Sequence, residues 1–79
     1  MRRILIVDDD PQLRQSFERL LQAEGHTVTT AASGEAGLAL VRSDPPDLVI
    51  MDVRLPGING LEAFRAMREI EPKMPAIIM

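Results

Sequence analysis

Four aspartates stand where chemistry is possible: Asp8, Asp9 and Asp10 in an unbroken run, and Asp52 alone further on. Each group follows a short apolar stretch, Ile4-Leu5-Ile6-Val7 in the first case and Leu48-Val49-Ile50-Met51 in the second. Carboxylates can hold hard cations, move protons or attack electrophilic centres. Taken singly, each also has a plainer reading. Asp10 precedes Pro11 and suits a helix N-cap better than a ligand. Asp8 and Asp9 could be a solvated strand end, and aspartate commonly closes a strand before a turn such as Pro56-Gly57. The combination carries more weight than any member, because two apolar runs each deliver acids to their downstream ends.

The elements that must position these acids alternate regularly. Ile4–Val7 is apolar throughout and rich in β-branched residues, as suits a strand buried on both faces of a parallel sheet. From Pro11 a helix carries Leu13, Phe17, Leu20 and Leu21 on one face and stops at Gly25. Thr27–Thr30 predicts a second strand. Ser33 caps a second helix to about Arg42, with Ala36, Leu38, Leu40 and Val41 facing inward and Gly37 weakening it; Ser43-Asp44-Pro45-Pro46 ends it. Leu48–Met51 is the third strand, Gly60 precedes a third helix bearing Leu61, Phe64, Met67 and Ile70, and Ala76–Met79 is the fourth strand. The order β-α-β-α-β-α-β implies a parallel sheet with right-handed crossovers.

In such a sheet, ligands bind beyond the carboxyl ends of the strands. If the first and third strands are neighbours, their ends lie about 5 Å apart. Several like charges would then crowd one site, and a hard divalent cation is the economical remedy. Mg2+ takes oxygen ligands, accepts one or two carboxylates directly and keeps water for the rest.

Composition excludes other classes. A chain of 79 residues makes one domain at most, with a small core. A formal charge of −3 with scattered arginines offers no footprint for nucleic acid. The chain has no cysteine, so disulfide and thiolate chemistry are out. The apolar run after Arg2-Arg3 is too short for a signal peptide or a membrane span, so the chain reads as cytoplasmic. His26 is a lone histidine at a strand start, and Met51, Met67, Met74 and Met79 suit core packing, as do Leu13, Phe17 and Leu21.

The segments Ile4–Asp10, Leu48–Gly60 and Pro75–Met79 resemble the receiver domain of bacterial two-component response regulators. The shared pattern is an acidic pair after the first strand and an aspartate after the third, followed at four and eight residues by Pro56 and Gly60. Val7–Asp10, Asp52–Gly57 and Met74–Met79 are most similar to receivers attached to sigma-54-dependent activators. The resemblance implies a flavodoxin-like α/β fold with strand order 2-1-3-4. It implies a phosphoprotein of a phosphorelay, with Asp52 accepting a phosphoryl group from a sensor histidine kinase to regulate an output such as transcription. Mg2+ would be held by Asp8, Asp9, Asp52 and the backbone carbonyl of Arg54, whose side chain is expected to be solvated. The domain would be a signalling module rather than a turnover enzyme.

The same resemblance implies that residues 1–79 form a receiver truncated after the fourth strand, lacking the fourth helix, fifth strand and fifth helix. An unpaired edge strand and an uncovered apolar face are then expected to favour self-association. An inactive structural fragment is the alternative reading. An aspartate-nucleophile phosphohydrolase would need a second aspartate two residues after the first, where Arg54 stands. A dinucleotide-binding domain would need glycines where Asp8-Asp9-Asp10-Pro11 stands.

Overall fold

The structure, a computed structural model, describes residues 2–55 and 57–79. Its elements are β1 (Arg3–Val7), α1 (Pro11–Ala23), β2 (Thr27–Ala31), α2 (Gly34–Ser43), β3 (Leu48–Met51), α3 (Gly60–Ile70) and β4 (Ala76–Ile78). All pairings are parallel, in the order β2-β1-β3-β4. The expected adjacency of the first and third strands therefore holds, with Val7 opposite Met51.

Local chemistry explains the boundaries. Asp10 accepts hydrogen bonds from the amides of Gln12 and Leu13 and starts α1, with Pro11 at its first position. Gly25, at a φ of 91°, follows the C-cap of that helix, a conformation glycine adopts without strain. Ser33 and Asn59 cap α2 and α3 in the same way as Asp10. Asn59 rather than Gly60 is thus the boundary residue of the third helix. The Pro56 half of the expected turn lies outside the described residues.

Alternation along the strands divides the core in two. Leu5, Val7, Val49 and Met51 point to one face, where Val41 of α2, Ala63 and Met67 of α3, and Met74 complete a large buried cluster. Ile4, Ile6 and Ile50 point to the other, packed by Phe17, Leu21, Val28 and Leu48. Gly37 does more than weaken α2. A Cβ there would stand 2.8 Å from Val7 Cγ2, so its absence lets the helix lie directly on β1.

Several expected core residues are not buried. Leu13 and Leu20 of α1 are exposed, as are Leu61 and Met79. The amphipathic stripe of α1 is wider than the surface it covers, because α1 rests on β1 and β2 and no second described helix covers its flank. On α3 the reverse occurs: Ala63, too small to stand out in the pattern, is fully buried and Leu61 is not. His26 is half-buried, and its Nδ1 accepts the Arg2 amide at 3.2 Å.

Candidate functional site

The ladder hydrogen bonds carry β1 and β3 to the same edge. The amide of Asp8 donates to Ala31 O and that of Asp52 to Val7 O, each at 3.1 Å, so both residues leave the sheet at its carboxyl end. By strand alternation they continue the series Ile4-Ile6 and Leu48-Ile50, on the α1 side. One carboxylate oxygen each from Asp8, Asp9 and Asp52 lies within 4.8 Å of the others. They line an open cleft of about 360 Å³ together with Asp10, Leu13 and Arg54.

The three acids differ in their surroundings. Asp8 is 1% exposed, the one buried charged residue among the described residues. Its Oδ1 accepts the Asp10 amide at 2.9 Å, and its Oδ2 is buried without a hydrogen-bond partner among the described residues. Asp9 is exposed. The side chain of Asp52 is 16% exposed; its Oδ1 accepts the Arg54 amide at 2.9 Å in a tight turn. The Arg54 side chain is 89% exposed, its Nε 3.8 Å from Asp52 Oδ1, so it is a solvated arginine and its pull on the carboxylate is screened.

An anionic oxygen buried without a partner is costly and calls for compensation. Three oxygen donors close together, one of them orphaned, suit a hard divalent cation and would be a poor site for a soft metal. The donor set therefore fits Mg2+. The loop after β3 is held equally tightly. A Cβ on Gly60 would fall 2.5 Å from the carbonyl oxygen of Asp52, and the Gly60 amide bonds Val53 O at 2.9 Å. Only glycine lets α3 start this close to the Asp52 backbone.

Comparison with known proteins follows the same outline. The family model for the response regulator receiver domain matches residues 4–79. The chain belongs to that family. It is similar to the transcriptional regulatory protein AfsQ1 of Streptomyces coelicolor, 44% identical over 79 residues, all of this chain and 35% of that protein. It is also similar to the transcriptional regulatory protein GlrR of Escherichia coli, 40% identical over 76 residues, 96% of this chain and 17% of that protein. Among solved structures, a CheY-like receiver domain protein from Methanospirillum hungatei superposes with a TM-score of 0.96 at 35% identity, over 99% of this chain and 62% of that one. The chain thus spans about a third or less of these curated relatives. Receiver domains serve two-component signalling, and the four-stranded parallel sheet here is the receiver fold.

Within this receiver domain, Asp8, Asp9 and Asp52 meet as the spacing suggested, and Asp10 serves as a helix cap. Two contributors to the site escaped the sequence reading. Leu13 lines the cleft instead of the core, and Arg14 reaches back to the Asp8 carbonyl at 2.8 Å. Neither had a signal: one looked like an apolar-face residue, the other like a polar-face residue of the same helix. No described helix is long and apolar enough to cross a membrane.

Proposed function

We propose that this chain accepts a phosphoryl group on Asp52 from a phosphohistidine of a sensor histidine kinase, and so regulates an attached output such as transcription. The observation that carries this reading is the meeting of Asp8, Asp9 and Asp52 at the carboxyl ends of adjacent strands. An Asp52 oxygen attacks phosphorus, the phosphorus–nitrogen bond breaks, and the electron pair returns to the imidazole of the kinase. Oδ1 is occupied by the Arg54 amide, which orients the carboxylate; Oδ2 has no hydrogen bond among the described residues and is the nucleophilic oxygen. Mg2+ would be held by the carboxylates of Asp8, Asp9 and Asp52 and by the Arg54 carbonyl. When bound, the ion supplies the positive charge that offsets repulsion between the carboxylate and the phosphoryl oxygens. The half-shielded position of Asp52 limits competing water while leaving it open to the cleft.

The net charge of −3 and the scattered arginines do not favour direct contact of this chain with DNA. A cytoplasmic location agrees with the cysteine-free composition and with the family's signalling role. The domain modifies itself and turns over no external substrate.

The test is Mg2+-dependent incorporation of beryllofluoride, a phosphoryl analogue, followed by NMR. Incorporation that is lost in Asp52→Asn supports the reading. Incorporation that survives Asp52→Asn, or none in the parent chain, overturns it.

A second property rests on β4. The Pro75 carbonyl and the Met79 amide, which flank β4, bond to Val49 and Met51 of β3, so by alternation the peptide groups of Ala76 and Ile78 face the open edge, and Ile77 is 51% exposed. Edge-to-edge pairing between two copies of this chain satisfies those groups and covers Ile77. Sedimentation at micromolar protein is expected to show dimers, with Ile77→Lys returning them to monomers. A parent chain that is monomeric throughout sinks this second property and leaves the first untouched.

A further inference from the structure

The turn that carries Asp8 and Asp9 is closed from α1. Strand β1 makes its last ladder bonds at Val7 and Asp8, through Val7 O and the Asp8 amide. Beyond that point the Asp8 carbonyl has lost its place in the ladder, since β2 ends at its partner Ala31. The acceptor is taken instead by the guanidinium of Arg14, whose Nη1 donates to it at 2.8 Å in a half-buried setting. The backbone of the same loop is pinned from the other side, where Asp10 caps α1 and its amide donates to Asp8 Oδ1. Together these bonds fix both the backbone and the χ angles of Asp8. They leave the buried Oδ2 without a hydrogen-bond partner among the described residues, on a carboxylate that clusters with those of Asp9 and Asp52.

We infer that Arg14 is a positioning residue for the acidic cluster: by holding the Asp8 carbonyl, it keeps the Asp8 carboxylate aimed at the site where a divalent cation binds. This rests on the function proposed above for its metal, but not for its geometry. Two effects of Arg14 oppose each other. A guanidinium bonded to the Asp8 carbonyl repels a cation arriving at the neighbouring carboxylates, so its charge alone weakens Mg2+ binding. Its hydrogen bond organises the donors in advance, which strengthens binding. The bond is charge-assisted and half-buried, whereas the repulsion acts at longer range and is screened by water and salt, so positioning wins.

The opposed signs make the test sharp. In Arg14→Met the aliphatic stem is kept and both charge and donor are lost. Mg2+ titration of the full chain, read from the amide shifts of Asp8, Asp9 and Asp10, is expected to show binding weakened about fivefold to tenfold. Arg14→Lys, which keeps the charge and an N–H donor, recovers most of that loss. Tighter binding in Arg14→Met, or unchanged binding with only a lower melting temperature, overturns the inference. Hydrogen exchange without metal supplies the independent readout. The Asp10 amide, which donates to Asp8 Oδ1, should exchange about tenfold faster in Arg14→Met while the amides at the β2 end of the ladder do not change. Unchanged Asp10 exchange overturns the positioning role even if the parent chain binds no Mg2+. Accelerated exchange with no Mg2+ binding upholds the positioning of Asp8 and overturns only the metal assignment.

Discussion

The sheet face under α2 and α3 and the face under α1 draw on the same strands but are buried to different depths. Leu5, Val7, Val49 and Met51 meet two helices that also pack on each other, and Val41, Ala63 and Met67 are sealed between them. Ile4, Ile6 and Ile50 meet one helix, which has no fully buried residue and leaves Leu13 and Leu20 in solvent. The acids lie at the end of the thinner face, where alternation carries Asp8 and Asp52 and where Leu13 and Arg14 of α1 join them. A cluster of like charges needs water and ions, which the carboxyl edge of the sheet offers and its covered interior does not. Among the described residues, the face under α2 and α3 holds the larger buried cluster.

Substitutions of graded burial test this contrast. Met67→Ala should cost about 2–5 kcal/mol in urea unfolding, since the side chain is fully buried and its neighbours on α2 and the sheet cannot close the gap. In a domain this small, that loss approaches the whole stability expected of it. A Met67→Ala chain with an unshifted midpoint would break the claim that the α2–α3 face dominates. Asp8→Asn should act in the opposite direction, stabilising the metal-free chain by about 1–3 kcal/mol, because it removes a buried charge whose Oδ2 has no partner among the described residues and puts an amide donor beside Asp9 and Asp52. Thermal melts with and without Mg2+ check this, and the gain should shrink when Mg2+ is present in the parent chain. Phe17→Ala, on the thin face, should cost only about 1–1.5 kcal/mol, as expected for a half-buried aromatic side chain. Leu20→Ala, at 60% exposure, should stay within about 0.5 kcal/mol, although both residues belong to the same apolar stripe in the sequence. Equal losses at Phe17 and Leu20 would mean that the outer flank of α1 is covered in solution.

The helix stripe shows where a sequence reading stops. Spacing alone marked Leu13, Phe17, Leu20 and Leu21 as one face, and the N-cap at Asp10 and the stop at Gly25 were legible because capping depends on residues within one turn. Which members of that face are buried depends on what lies opposite, and here one helix rests on two strands with its flank open. Gly37 and Gly60 show a related limit. The sequence displays a local cost of Gly37 to α2 and the place of Gly60 beside the third helix, but not their close approaches to Val7 and to the Asp52 backbone.

The alternation of elements, the family pattern and the identity of the acids are all legible along the chain, because periodicity, capping and motif spacing are properties of neighbouring residues. The family resemblance already implied that β1 lies beside β3, and the tertiary structure bears this out, bringing Asp8 and Asp9 within reach of Asp52. The tertiary structure alone decided that Asp8 is the buried member with an orphaned oxygen, and that Arg14 returns to hold the Asp8 carbonyl. Burial and hydrogen-bond partnership are set by chain segments that meet in space, and strand order determines which segments meet.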